Sequence, residues 1–286
     1  MGEFLAAVNE QAFLRQALLA GLLASVGCGL IGPFVVVKRI AFLAGGIAHS
    51  VLGGMGAALY FGFDPLLGAL AAAVVSALLI GWVRLTWHTG EDTAIGALWA
   101  IGMAVGILFI SRTPGYTTDL MSFLFGNILL VPTRELWFMA ALDLSLLLMV
   151  GLLYRHFIAV AFDEDFARLR GLPVAPLYLL LLLLVALTVV LMIQVVGLIL
   201  VIALLTLPAA VAGQWTHSIT AMMLTATLLG AGLTSGGLAL SYAPDLPPGP
   251  VIILLAGGLY LVSALAAGVL HRARRPRPAR APRPAD

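Results

Sequence analysis

Apolar runs of about 20 residues, each long enough to cross a bilayer, follow one another along almost the whole chain. That succession leaves little room for any other kind of fold. The runs read as helices near 13–37, 42–62, 65–86, 93–111, 133–154, 176–196, 197–213, 217–241 and 250–270, nine in all. Leu177 to Ala212 is one unbroken apolar stretch with no polar turn, so the boundary near Val196-Gly197 is the weakest, and a single long helix there would leave eight. Only 10% of the 286 residues are charged, against about 25% in a soluble domain, and a buried core cannot account for that deficit. The expected fold is therefore an all-α, polytopic membrane bundle spanning residues 1–270, with no separate soluble domain. The acidic Glu3 and Glu10 do not suit a cleaved signal peptide, so the first span is expected to be retained.

Charge orients the bundle. With nine spans and the N-terminus outside, Lys38, Arg39, Arg84, Arg155, Arg168 and Arg170 fall in the cytoplasm, together with the arginines of the tail. Only Arg15, Arg112 and Arg134 fall outside. The tail, 271–286, is basic and proline-rich; it cannot bury apolar surface and is expected to be disordered, lying against anionic lipid rather than nucleic acid. Cys28 is the single cysteine, which excludes an internal disulfide and a thiol-based metal site.

One segment does not belong in a membrane. In "AFDEDFARLRGLPVAP", Asp163 suits a helix N-cap, and Glu164 and Asp165 suit the positive end of the helix dipole. Arg168 and Arg170 suit the other end, Gly171 offers a left-handed cap, and Pro173 blocks continuation. Phe162, Phe166 and Leu169 recur at helical spacing and form an apolar ridge. The segment is either a connector lying on the membrane or a docking helix for a cytoplasmic partner.

The second span, "FLAGGIAHSVLGGMG", sets Gly45, His49, Gly53 and Ala57 on one row and Gly46, Ser50, Gly54 and Ala58 on the next. Small residues at this spacing let helices approach closely, so His49 faces protein and not lipid. Its imidazole either secures the packing, which is the first reading, or makes a transient metal contact. Asp143 sits mid-span in "ELWFMAALDLSLLLMVG", where a carboxylate costs about 2.5–3.5 kcal/mol. A transit role leads there; a protonated carboxyl bonded to a helix backbone is the alternative. Glu91 and Asp92 read as a cap. Asp119 either greets cargo or caps a short helix, Asn127 and Gln194 suit bonds between helices, and His217 lies at a span end. Asp245 sits in a turn-rich outer loop, and Pro208 marks a place where a span can break.

Several stretches in order, "KRIAFLAGGIAHSVLGGMG", "EDTAIGALWAIGMAVGILFIS", "PGYTTDLMSFLFGNILLV", "FDEDFARLRGLPV" and "VVGLILVIALLTLPAAVA", resemble the permease subunits of ATP-binding-cassette importers for zinc and manganese. The resemblance implies a type II importer-like permease in a bacterial inner membrane. Residues 163–172 would be its coupling helix, with Asp163, Glu164, Phe166, Arg168, Leu169 and Gly171 engaging an ATPase. It implies a homodimer around a central pathway, two ATPase subunits that bind the ATP, and an extracytoplasmic metal-binding protein that delivers cargo. His49, Asp143, Asp119 and Asn127 would touch the passing divalent metal, zinc first and manganese second, with paired Asp143 carboxylates across the dimer axis. Many members carry an acidic residue four positions before the span-two histidine; here that position is Gly45. Consistent with an ATPase on another chain, no G-x-x-x-x-G-K-[ST] phosphate loop occurs. No resident cofactor and no covalent chemistry are expected of this chain. A permease for a metal chelate such as a siderophore or cobalamin, and an ion-gradient carrier needing no ATPase, are the rival readings.

Overall fold

The computed structural model describes residues 2–87, 91–113, 126 and 128–274. Among them are eleven α-helices and no strand. They are α1 (Gly2–Glu10), α2 (Ala12–Val37), α3 (Ala41–Phe61), α4 (Pro65–Trp87), α5 (Glu91–Arg112), α6 (Thr133–Phe162), α7 (Glu164–Leu169), α8 (Val174–Val196), α9 (Leu198–Trp215), α10 (Ile219–Tyr242) and α11 (Pro248–Arg274). Eight are long and apolar enough to cross a membrane: α2 to α6 and α9 to α11. α8, at 23 residues, is the ninth rod of the bundle.

The weakest expected boundary is where the chain does break. Gly197 separates α8 from α9 with φ 80° and ψ 162°, a region that only glycine occupies without strain. Gly126 packs against this point so closely that a β-carbon on it would lie 2.3 Å from the Gly197 nitrogen. Pro208, by contrast, is buried inside an uninterrupted α9, so the helix ends at the glycine and not at the proline.

Three elements depart from expectation. α6 continues two turns past the expected end at 154, to Phe162, and these turns bury Phe157, Val160 and Ala161. α1 was not anticipated; it buries Phe4 and Ala7 and sets the Phe4 ring edge-on to Tyr242, with centroids 5.8 Å apart. At the other end α11 runs to Arg274, four residues into the segment expected to be disordered; 275–286 lie outside the described residues.

Contacts fix the up-and-down order. Gln16 donates to Thr133 Oγ1 at 2.9 Å, so α2 and α6 start at the same end. At the opposite end, Val37, Phe162, Thr216 and His217 line one cavity of about 400 Å³. Lys38, Arg84, Arg155, Arg168 and Arg170 thus collect at the α7 end, and Arg15 and Arg134 at the other, which is the charge asymmetry read from sequence. α2 and α3 are the inner rods: 67% of each apolar window is buried, against 17% for α5 and α11. The peripheral helices turn Leu108, Leu228, Leu254 and Leu265 outward, as lipid-facing surfaces do.

Candidate coupling helix and transit residues

α7 is a single capped helix. The Asp163 carboxylate accepts from the Phe166 backbone N–H at 2.8 Å, satisfying a first-turn donor. At the other end Gly171 takes φ 76°; its N–H reaches Arg168 O at 3.0 Å and the Leu172 N–H reaches Ala167 O at 3.1 Å. This paired arrangement closes the helix with a left-handed residue that costs glycine nothing. Both caps read for this helix, Asp163 and Gly171, are in place.

The helix has two faces. Ala167 is fully buried against the bundle, while Phe162, Phe166 and Leu169 are 66%, 50% and 88% exposed. Phe166 and Leu169 form the open side of α7, whereas Phe162 ends α6 before the extended Asp163 and lines the cavity beside Thr216 and His217, so the helical row expected through all three is broken at 163. Arg168 pairs with Asp165 at 3.2 Å on the same open side. Glu164 does not join them. Its carboxylate accepts from Lys38 at the end of α2 and from Arg84 Nη2 of α4, the latter at 2.9 Å. Arg84 also donates to the hydroxyl of buried Tyr178 at 2.9 Å and lies 4.3 Å above its ring. Burial pushes the Glu164 carboxyl up, but the Lys38 hydrogen bond and the charges of Lys38, Arg84 and Arg168 outweigh it, and the group ends below the ordinary glutamate range.

α3 is clamped between α4 and α5 by the small residues expected to do so. A β-carbon at Gly54 would meet Gly68 O at 2.1 Å, one at Gly53 would meet Gly102 O at 2.8 Å, and one at Gly46 would meet Ile95 Cγ2 at 2.4 Å. Ser50 bonds to Ser76 of α4 at 2.7 Å. Gly45 leaves space beside Trp99, whose ring then stacks on His49 with centroids 4.0 Å apart and planes at 10°. His49 Nδ1 is buried with no hydrogen-bond partner, so this nitrogen is free for a proton donor or a metal.

Asp143 is 6% exposed, and neither carboxylate oxygen has a partner. It is turned toward Gly27 of α2 and Met192 of α8. The outward stripe of α6 is instead Trp137, Leu144, Leu148 and Leu152. Asp143 therefore looks into its own protomer, beside α2. The physical reason is room: Gly27, with no side chain, leaves the space beside α2 that the Asp143 carboxylate occupies.

The structure gives His49 and Asp143 separate neighbours, α5 for the first and α2 and α8 for the second. Among the described residues no three His, Cys, Asp or Glu side chains converge. Asp119 and Asn127 lie outside the described residues, as does the side chain of Gln194. Asp245, with φ 52°, lines a cavity of about 310 Å³ at the end opposite α7. Trp99, Gly27, Met192 and the Lys38–Arg84–Tyr178 group escaped sequence reasoning. In sequence Lys38 and Arg84 signal topology, and two span-end cations with one acid on a short helix also offer a pairing.

The sequence profile of the ABC 3 transport family matches residues 10–267. An uncharacterized membrane protein of Synechocystis is 49% identical over 251 residues, covering 88% of this chain and 89% of that protein. The manganese transport system membrane protein MntC of Halalkalibacterium halodurans is 35% identical over 251 residues, covering 88% and 86%. Among solved structures, PsaBC from Streptococcus pneumoniae in complex with Fab superimposes with a TM-score of 0.83 at 29% identity, over 92% of this chain and 94% of that one.

Proposed function

The chain belongs to the ABC 3 transport family, and from that premise we propose that it is the permease subunit of an ATP-driven importer of a divalent metal. The observation that carries the reading is the exposed pair Phe166 and Leu169 on a capped helix whose buried Ala167 seats its other face on the bundle. Apolar side chains held out from a rigid support fit a groove in a partner, and here the partner is a cytoplasmic ATPase. Two such ATPases bind the ATP, two copies of this chain enclose the pathway, and a metal-binding protein docks on the outer side of a bacterial inner membrane. The chain itself makes and breaks no covalent bond and holds no resident cofactor; the metal is cargo. ATP binding and hydrolysis move α7, and the pathway opens to each side in turn.

Manganese is the cargo we favour over zinc. The support is that a relative named for its metal, over most of both chains, is a manganese protein. The His49 nitrogen and Asp143 oxygens suit either ion, since imidazole takes zinc and carboxylate takes manganese. Transient contact by few ligands also suits a transporter, because a full ligand set would retain the ion.

The test is uptake of manganese and zinc into proteoliposomes holding this chain with its ATPase, and with the ATPase omitted. ATP-dependent manganese uptake by the complex and none by the lone chain is the expected result. Equal uptake without the ATPase would overturn the reading.

A further inference from the structure

We infer that Glu164 is the positioning residue that ties the coupling helix to α2 and α4, so that motion of α7 reaches both candidate transit residues. The inference rests on the permease reading above and assigns Glu164 to the inside of the protein rather than to the ATPase surface.

α7 is a six-residue helix joined to its neighbours by non-helical backbone. Asp163 leaves α6 in an extended conformation, with φ −149° and ψ 100°. On the other side Gly171 turns left-handed before Pro173. Such joints bend easily, so covalent continuity alone transmits little to the rods on either side. The Glu164 carboxylate supplies a stiffer connection. One oxygen, Oε1, accepts from both Lys38 Nζ and Arg84 Nη2. The side chain of Lys38 is 8% exposed and those of Glu164 and Arg84 are 28% and 27%. Tyr178 of α8 floors the cluster, with Lys38 5.8 Å and Arg84 4.3 Å from its ring centre. Four helices therefore meet at one acid.

Burial decides what this pair does. An exposed pair such as Arg168–Asp165, at 63% and 91% exposure, is screened by water and adds little. Removing the acid takes the carboxylate away from the buried Lys38 ammonium, which is strongly unfavourable, so Lys38 and Glu164 move as a unit rather than parting. The rods it grips lead to the polar groups inside. α2 carries Gly27, which faces Asp143. α4 clamps α3 through Ser76–Ser50 and Gly68–Gly54, and α3 carries His49. Displacement of α7 is thereby passed to the two helices that set the surroundings of Asp143 and His49.

The experiment uses the reconstituted permease with its ATPase and compares wild type with Glu164→Gln, Glu164→Asp and the exchanged pair Lys38→Glu with Glu164→Lys. ATPase retention, ATP hydrolysis and manganese uptake are measured on each. In Glu164→Gln we expect retained ATPase and continued hydrolysis with uptake reduced about tenfold, the scale of an ordinary coupling free energy. Glu164→Asp and the exchanged pair should recover part of that uptake. The inference is overturned if Glu164→Gln takes up metal within about twofold of wild type. It is equally overturned if ATPase retention and uptake are lost together with no recovery in the exchanged pair, the outcome of a structural or docking role. A wild-type complex that moves no metal would instead reject the permease reading itself.

Discussion

A methyl group placed on Gly27 would stand 2.7 Å from Oδ1 of Asp143 and 2.9 Å from Cε of Met192. The absence of a side chain on α2 is what admits the carboxylate of α6 into the protein. Gly27→Ala should therefore displace Asp143 and lower metal uptake about tenfold or more, as supporting residues of metal sites do. Asp143→Asn, which keeps the volume and removes the charge, should do the same while the purified protein stays monodisperse. Normal uptake in both variants would remove Asp143 from the pathway.

His49 lies flat on Trp99, and its unpartnered Nδ1 is held in place by that stack. Trp99→Phe preserves an aromatic floor and should retain most uptake. Trp99→Ala forfeits a ring contact worth about 0.5–1.5 kcal/mol and should release the imidazole. If His49 contacts cargo, His49→Ala abolishes uptake without lowering the melting temperature. A lower melting temperature with uptake intact would return His49 to the packing role that its small-residue neighbours first suggested.

The close approach of α3 and α4 is measurable as stability. In Gly54→Ala the new methyl would lie 2.1 Å from the Gly68 carbonyl oxygen, which is backbone and cannot rotate away. The helices must separate, at a cost of about 1–3 kcal/mol. Gly96→Ala, where nothing lies within 4 Å, serves as the control and should be neutral. Thermal unfolding in detergent distinguishes them, and equal melting temperatures would contradict the packing described.

The Glu164 cluster carries a pH signature. Lys38 of α2 and Arg84 of α4 bond the acid, Arg168 of α7 adds its charge, and Tyr178 of α8 lies against Lys38 and Arg84. Because the folded carboxyl lies below its ordinary value, its stabilisation is complete above the unfolded value of about 4.3 and is lost as pH falls through the depressed one. The stability advantage of wild type over Glu164→Gln should be constant from neutral pH down to the ordinary glutamate range and shrink below it. An advantage that vanishes near neutrality would mean the acid is not held by these cations.

What the residues alone determined is local. Span positions follow from stretches of apolar chain, and eight of the nine expected spans ended within four residues of the observed helices. The caps of α7 were legible because Asp163, Gly171 and Pro173 act on backbone groups three or four positions away. The stripe of Gly46, Ser50, Gly53 and Gly54 announced close packing before its partners were known. What the tertiary structure alone decided is which way each polar side chain turns and what it meets. Glu164 reads as an ordinary first-turn acid until Lys38 and Arg84, more than 75 positions away in the chain, come beside it. Asp143 reads only as a mid-span acid until Gly27 of α2 comes beside its carboxylate. The rotation of a helix about its own axis depends on contacts between distant segments, and apolar periodicity in a membrane, where lipid and protein interior are equally greasy, does not record it.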